Sequence, residues 1–136
     1  MSKFEPNGDL FDLINMSANG LPVDIAKIIF REIVSGVKYL HSKNLAHRDL
    51  KLENCFLDEN FRVKIGDFGL LTVLENGALE TQCGTAAYMA PELVGDEDLK
   101  YEGKPVDIYA LGVMLFMILT CKPLQIQPSD EYITCF

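Results

Sequence analysis

The feature that most constrains the fold is a run of fourteen uncharged residues, 108–121, that directly follows Asp107. Such a run is short for crossing a membrane, because a spanning helix needs about 20 apolar residues. A helix that is apolar on all sides must instead be buried within a protein. We therefore predict that residues 107–121 form the central helix of a compact domain, and we expect no membrane partner.

A second long helix is predicted over residues 23–41, where apolar side chains recur at three- and four-residue steps. Pro22 favours the helix start, and Lys43 and Asn44 mark its end. The residues that we expect on its buried face are Ile25, Ile28, Ile29, Ile33, Val37 and Leu40. A short helix is predicted upstream over residues 9–15, after a turn at residues 6–8.

Two short strands, residues 55–57 and 61–65, are predicted to form a hairpin around the polar turn 58–60. Asn54 precedes the first strand and Asp67 follows the second, so antiparallel pairing returns both to the same end of the hairpin. The sequence therefore predicts an α+β fold that is mainly helical, with two oxygen donors brought together by the hairpin.

The polar stretch His-Arg-Asp-Leu-Lys-Leu-Glu-Asn at residues 47–54 combines a carboxylate, an ammonium group and an amide. Asp49 could accept a proton from a hydroxyl, and Lys51 could neutralise phosphate charge. Asn54 could supply a neutral oxygen ligand to Mg²⁺. This stretch is a candidate site for a phosphate, a metal ion and a hydroxyl nucleophile.

The sequence Asp-Phe-Gly follows at residues 67–69, and Ala-Pro-Glu follows at residues 90–92. The three motifs in this order resemble the C-terminal half of the protein-kinase signature. The resemblance implies that residues 1–136 are a partial kinase domain with hinge, catalytic loop, activation segment and central helix. The fold would be part of a C-terminal lobe whose short β-hairpin bears the metal site, and we expect the small lobe and the last helices to be absent.

The resemblance implies particular site residues. Asp49, Lys51, Asn54 and Thr85 would be catalytic, and Asn54 and Asp67 would hold Mg²⁺. We expect Thr85 to contact Asp49 and Lys51. His47 and Phe68 are expected to be packing residues of the core.

ATP contacts are implied as well. Glu5 would belong to the hinge that meets the adenine, Phe56 would lie under the adenine, and Asp67 would hold the ion that accompanies the phosphates. Asp9 occupies the position of an acidic residue near the ribose and near basic substrate side chains. A charge at the start of a helix explains Asp9 equally well.

Residues 70–89 lack periodicity and resemble a kinase activation segment. Thr81 occupies the position of an activation-loop phosphothreonine. Arg48 would bind the phosphate that an upstream activating kinase attaches to Thr81. Thr81 could also be an unmodified loop residue. Glu92 is expected to lack its arginine partner, since the sequence contains only Arg31, Arg48 and Arg62.

Composition narrows the class of partner. A net charge of −8 and an isoelectric point of about 4.6 argue against a nucleic-acid binder. The four cysteines show no metal-ligand spacing, and residues 1–8 do not resemble a secretory signal, so we expect a cytoplasmic or nuclear protein. Glu53 and Asp9 favour a protein substrate with basic residues near the phosphorylated site.

Two functions remain open on the sequence. The first is an ATP-dependent protein serine/threonine kinase that transfers the γ-phosphate to a protein hydroxyl, since Lys51 is typical of serine/threonine members. The resemblance is to the calcium/calmodulin-dependent or AMP-activated groups. The alternative is a non-catalytic regulatory or binding module built on half a kinase lobe. We expect the isolated 136-residue chain to be inactive and to expose apolar surface around residues 108–119.

Overall fold

The computed structural model describes residues 7–74, 78–94 and 100–125. The helices in this part of the chain are α1 (Leu10–Asn15), α2 (Val23–Ser42) and α3 (Gly103–Thr120). The strands are β1 (Leu45–Ala46), β2 (Cys55–Leu57), β3 (Val63–Ile65) and β4 (Thr72–Val73). Single 3-10 turns lie at Leu52–Asn54, Ala86–Tyr88 and Pro91–Leu93. The predicted mainly helical α+β fold is confirmed.

Helix α2 packs against α3 and against β3 through one apolar stripe. The buried residues of this stripe are Ala26, Ile29, Ile33 and Val37. The expected burial of Ile25 and Ile28 is wrong, because their side chains are 46% and 58% exposed. Each precedes a buried residue by one position and so lies about 100° around the helix axis from it. The two isoleucines fit the three- and four-residue spacing of apolar side chains but lie outside the buried stripe.

Helix α3 begins at Gly103, four residues before the predicted start. Pro105 accounts for the difference, because its fixed φ and missing N–H group are tolerated in the first turn of a helix. By length and composition α3 could cross a membrane, yet half of it is buried within the fold, as in the core helix of a globular domain.

Burial of α3 on all sides was predicted and is wrong for the described structure. Ile108, Phe116 and Leu119 are exposed large apolar residues on this helix. The expected exposed apolar surface around residues 108–119 is therefore confirmed. The buried half includes Val113, Met114 and Ile118, which complete the core against α2.

The predicted hairpin is confirmed: β2 and β3 pair antiparallel, with Cys55 opposite Ile65 and Leu57 opposite Val63. The second strand starts at Val63 and not at residue 61, because Phe61 has a positive φ of 58° and belongs to the turn. The Gly66 N–H donates to the Asn54 carbonyl oxygen at 2.8 Å, which closes the hairpin beside the candidate site.

A second small sheet was not predicted. Strands β1 and β4 pair antiparallel, with Leu45 opposite Val73 and Ala46 opposite Thr72. Two residues per strand are too few to give a sequence pattern. The pairing ties the beginning of the activation segment (residues 70–89) to the chain just before residues 47–54.

Candidate active site

The catalytic loop, residues 47–54, is held on α3 by one buried carboxylate. Asp107 is 1% exposed. Its Oδ2 accepts the His47 backbone N–H at 2.9 Å, and its Oδ1 accepts the Arg48 backbone N–H at 2.9 Å. Arg48 has a left-handed φ of 67°, a conformation that a non-glycine residue adopts only where surrounding contacts impose it. Asp107 therefore fixes the backbone of the catalytic loop at α3.

His41 also donates a hydrogen bond to the Asp107 carboxylate, and this contact was not predicted from the sequence. Its Nε2 donates to Asp107 Oδ2 at 2.8 Å from the last turn of α2. Asp107 therefore joins α2, α3 and the catalytic loop. No pattern in the sequence marks His41, because its partner lies 66 residues further along the chain.

The Asp49 carboxylate lies within a compact polar group. Lys51 Nζ contacts Asp49 Oδ2 at 2.9 Å, and the Thr85 hydroxyl donates to Asp49 Oδ1 at 2.7 Å. Lys51 Nζ also donates to Thr85 Oγ1 at 2.8 Å. Asn54 Nδ2 donates to the Asp49 backbone carbonyl at 2.9 Å. The predicted contact of Thr85 with Asp49 and Lys51 is thus present.

These contacts determine the charge of Asp49. Burial raises the pKa of Asp49, but the hydrogen bonds from Thr85 and Lys51 and the Lys51 charge outweigh it, so the net pKa lies below the ordinary value of 3.8. Asp49 is therefore a carboxylate at neutral pH and can accept hydrogen bonds from a hydroxyl group.

Asn54 and Asp67 form a donor set that fits a hard divalent cation. The amide nitrogen of Asn54 is bound to Asp49, which leaves the amide oxygen as its ligand atom. Asp67 is exposed, and among the described residues its Oδ1 accepts only a long 3.4 Å bond from the Gly69 N–H. Within the described ranges no cluster of three or more His, Cys, Asp or Glu residues could hold a metal. A two-residue oxygen set matches Mg²⁺, which keeps waters and shares phosphate ligands.

The residues expected at the nucleotide lie next to one another where the structure describes them. Asp9 and Phe56 form an antiparallel bridge, and the Phe56 ring packs on Gly66. Asp9 also caps α1, because its Oδ1 accepts the Asp12 N–H at 2.9 Å. The helix-charge explanation of Asp9 is therefore observed, and its nucleotide role stays a prediction. Glu5 lies outside the described residues.

His47 and Phe68 differ from one another in burial. His47 is fully buried, and its Nε2 donates to the Gly66 carbonyl at 3.0 Å, as expected of a core residue. Phe68 lies 5.5 Å from the His47 ring but is 48% exposed, so its expected core position is wrong in this structure. One face of the ring meets His47, and the described residues leave the rest to solvent.

Arg48 joins the catalytic loop to the activation segment, and Tyr101 contacts the same segment at Thr81. Arg48 Nε donates to the Leu70 carbonyl at 2.8 Å. Thr81 is exposed, and its backbone carbonyl accepts the Tyr101 hydroxyl at 2.8 Å. Phosphorylation of Thr81 and phosphate binding by Arg48 stay predictions. Tyr101 is a second residue that sequence reasoning missed.

Glu92 is exposed and forms no ion pair within the described part of the chain. Because water solvates the Glu92 carboxylate, the penalty of a buried unpaired charge does not arise.

Tyr88 is buried, and its hydroxyl donates to Glu53 Oε2 at 3.1 Å, which keeps that acidic side chain beside the site.

Comparison with known proteins agrees with the motifs and the geometry. The family model described as protein kinase domain matches residues 1–134. CBL-interacting serine/threonine-protein kinase 5 of Arabidopsis thaliana is 43% identical over 128 residues, which cover 90% of this chain and 28% of that protein. Serine/threonine-protein kinase PSK1 of Saccharomyces cerevisiae is 41% identical over 111 residues, 82% of this chain and 8% of that protein.

Serine/threonine protein kinase OSK3 of Oryza sativa subsp. indica is 43% identical over 125 residues, 91% of this chain and 23% of that protein. The chain thus spans less than a third of the length of each of these relatives. With the ordered motifs, the Asp49 group and a family match over almost its whole length, the chain belongs to the eukaryotic-type serine/threonine protein kinase family.

Proposed function

We propose that the protein containing this chain is an ATP-dependent kinase that transfers the γ-phosphate to a serine or threonine hydroxyl of a protein. The observation that carries the proposal is the ionised Asp49 carboxylate, bound by Lys51 and Thr85 beside Asn54. A purely structural loop would not need a carboxylate, an ammonium group and an amide assembled at an accessible surface.

Asp49 acts on the substrate hydroxyl. Its lowered pKa keeps it ionised, so it can accept a hydrogen bond from the hydroxyl and orient the oxygen for attack. As the oxygen bonds to the γ-phosphorus, the bond from that phosphorus to the β,γ-bridging oxygen breaks and ADP leaves, and the hydroxyl proton passes to Asp49. The Thr85 hydroxyl holds Asp49 Oδ1 and leaves the carboxylate little freedom to rotate.

Lys51 acts on the transferring phosphate. An ammonium group has three N–H donors, and Asp49 and Thr85 take two of them. The third donor can bind a phosphate oxygen and stabilise the negative charge that develops there. Lys51 thereby connects the proton acceptor with the phosphate.

ATP and Mg²⁺ are typical of this family, and the donors found here fit them. Bound together they supply the phosphoryl group and the positive charge that its transfer requires. Asn54 and Asp67 would hold the ion through their side-chain oxygens. Phe56 would lie against the adenine, Asp9 near the ribose, and Glu5 in the hinge.

Substrate choice and regulation follow as parts of the proposal. Glu53, held by Tyr88, would attract basic residues near the phosphorylated position of a protein substrate. Phosphorylation of exposed Thr81 by an upstream kinase would give Arg48 an anionic partner. A cytoplasmic or nuclear location suits the free thiols of Cys55, Cys83 and Cys121.

Phosphate transfer by the native polypeptide that contains this chain tests the proposal. Labelled ATP, Mg²⁺ and a serine peptide with upstream arginines are the reagents. We expect Asp49→Asn to lower kcat by at least about 100-fold, because a carboxamide cannot take the proton. Glu59→Gln, an exposed substitution in the hairpin turn, is the matched control and should leave kcat unchanged.

Equal transfer by the Asp49→Asn variant would contradict the proposal. If the unsubstituted protein transfers no phosphate but still captures a partner protein, and Asp49→Asn leaves that capture intact, the non-catalytic binding module becomes the function.

A further inference from the structure

Tyr101 is a buried residue that no motif of the family signature includes and that contacts the activation segment directly. It lies two residues before α3 and six before Asp107, and it is 5% exposed. Its backbone pairs with Leu79 in both directions: the Leu79 N–H donates to the Tyr101 carbonyl at 2.8 Å, and the Tyr101 N–H donates to the Leu79 carbonyl at 3.1 Å.

The Tyr101 side chain extends this contact. Its hydroxyl donates to the Thr81 carbonyl at 2.8 Å, and Cys83 Sγ lies 4.0 Å away. The Arg48 guanidinium lies beside the same hydroxyl. Burial raises the pKa of Tyr101, and Arg48 acts in the opposite direction, so at neutral pH the hydroxyl keeps the proton that it donates.

Thr85, which binds Asp49 and Lys51, lies four residues after Thr81, the residue that Tyr101 contacts. Gly84 has a φ of 113° and lies so close to the catalytic loop that a Cβ there would be 2.8 Å from the Arg48 carbonyl. Thr85 follows and binds both Asp49 and Lys51. Because only three residues separate Thr81 from Thr85, and Gly84 among them lies against Arg48, we expect a shift at Thr81 to move the Thr85 hydroxyl.

We propose that Tyr101 is a positioning residue of the phosphotransfer site, whose hydroxyl holds residues 79–83 so that Thr85 reaches Asp49 and Lys51. The stretch before and within the first turns of α3 then supports both halves of the site: Asp107 holds the catalytic loop, and Tyr101 holds the activation segment. This inference rests on the proposed function, because it assigns Tyr101 a part in the same reaction.

The Tyr101 hydroxyl can be tested apart from its ring. The ring belongs to an apolar cluster with Ala90, Leu93 and Val106, and phenylalanine would preserve that packing. Tyr101→Phe therefore removes only the hydroxyl, with its hydrogen bond to Thr81 and its contacts with Cys83 and Arg48. Tyr39→Phe is the matched control, since Tyr39 is exposed on α2.

The first measurement is phosphate transfer by the full polypeptide, with Tyr101→Phe, Thr85→Val and the double variant. Loss of one hydrogen bond corresponds to a roughly five- to tenfold effect. We expect Tyr101→Phe to lower kcat by about that factor with KM for ATP unchanged, and Tyr39→Phe to have no effect. Because Tyr101 acts through Thr85, the double variant should be no slower than Thr85→Val alone.

The proposal would be overturned if the kcat reductions of Tyr101→Phe and Thr85→Val multiplied in the double variant. It would also be overturned if Tyr101→Phe had the same kcat as the unsubstituted protein. A general loss of folding would lower both ATP binding and the thermal midpoint. Positioning predicts that KM for ATP stays the same.

Amide hydrogen exchange gives a readout that does not depend on activity. Tyr101→Phe should speed exchange at residues 79–85 by about five- to tenfold and leave α2 unchanged. If the unsubstituted protein transfers no phosphate, the proposed function fails, and the exchange data alone judge the anchoring role. Unchanged exchange at residues 79–85 would then overturn the role of Tyr101 as well.

Discussion

The catalytic loop and the turn at residues 67–69 lie at the same end of the β2–β3 hairpin, yet they are held very differently. In the loop His47 is fully buried, and the backbone of His47 and Arg48 is bound by Asp107. In the turn Asp67 and Phe68 are both exposed. Asp67 has a left-handed φ of 53°, and among the described residues its carboxylate accepts only one long hydrogen bond, from within the turn.

The difference follows from what each segment packs against. Helix α3 presents a buried carboxylate to the loop, and the backbone of the loop is therefore preorganised. Among the described residues, Gly66, just before the turn, is bound to the core through Asn54 and His47, and the Phe68 ring meets the His47 ring. The candidate proton acceptor is thus built into this part of the fold, while the carboxylate that we propose as a metal ligand is exposed.

The largest expected difference is in unfolding free energy, between a substitution of Asp107 and a substitution of Asp67. Asp107→Ala leaves three donors without an acceptor, a buried one from His47 and partly buried ones from His41 and Arg48, and should cost about 3–5 kcal/mol of unfolding free energy. Asp67→Ala should cost less than about 0.5 kcal/mol, because the side chain is exposed. Urea unfolding measures both free energies.

Asp107→Asn keeps one acceptor oxygen and should give an intermediate loss. Similar free energies for Asp107→Ala and Asp67→Ala would show that the two segments are equally anchored and would break the comparison.

The next effect concerns the hydroxyl that joins the activation segment to the loop. Thr85→Val removes the donor to Asp49 and the acceptor of Lys51 and should cost about 1 kcal/mol at neutral pH. Thr81→Val, at an exposed threonine of the same segment, is the control. Chemical denaturation of both variants measures the change.

The Thr85 change should also alter stability in acid. Because the folded pKa of Asp49 lies below 3.8, its contribution is present above that pH and is lost as pH falls through the lowered pKa. Without Thr85 the folded pKa of Asp49 moves back up towards 3.8, so Thr85→Val should lose less stability between neutral and acidic pH than Thr81→Val. Superimposable acid-unfolding curves for Thr85→Val and Thr81→Val would count against this account.

A smaller effect is expected in the turn. Phe68→Ala should cost roughly 1 kcal/mol or less, because about half of its surface is already in water, whereas a fully buried phenylalanine costs about 3–5 kcal/mol. Thermal unfolding followed by circular dichroism tests this. A loss of 3 kcal/mol or more, on the same order as a buried ring, would mean that the turn is anchored as firmly as the loop.

The smallest effect requires no substitution. Cys55 directly follows the catalytic loop. Burial is the main cause that raises the pKa of its thiol to about 12, and the nearby charges of Glu53 and Asp9 add to it. Cys83, in the activation segment, is only partly buried. Iodoacetamide at neutral pH should modify Cys83 and leave Cys55 unmodified in the native protein, as read by peptide mass spectrometry. Equal labelling would show that the loop opens readily.

Much of the local structure was predictable because it depends on nearby residues. The helical period identified α1 and α2, and the polar turn identified the hairpin and the meeting of Asn54 with the region of Asp67. Errors arose where an inference needed the surroundings. Ile25 and Ile28 fit the spacing of α2, but only the position of α3 decides which apolar stripe is buried.

The candidate site divides in the same way. Its chemistry was readable from residue types and order, because Asp49, Lys51 and Asn54 lie within six residues. The contact of Thr85 with Asp49 and Lys51 was expected from the family resemblance, and the structure agrees. The partnerships of His41 with Asp107 and of Tyr101 with Thr81 were not predicted, since nothing local to either residue indicates its partner.

The sequence by itself thus determined the family, the three helices, the β2–β3 hairpin and the residue types that we propose for phosphate transfer. Only the tertiary structure decided which residues hold those groups in place and which remain open. The reason is physical: periodicity and motif chemistry are properties of a few neighbouring residues. Burial of Asp107, anchoring by Tyr101 and exposure of Phe68 depend instead on how segments distant in sequence pack around α3.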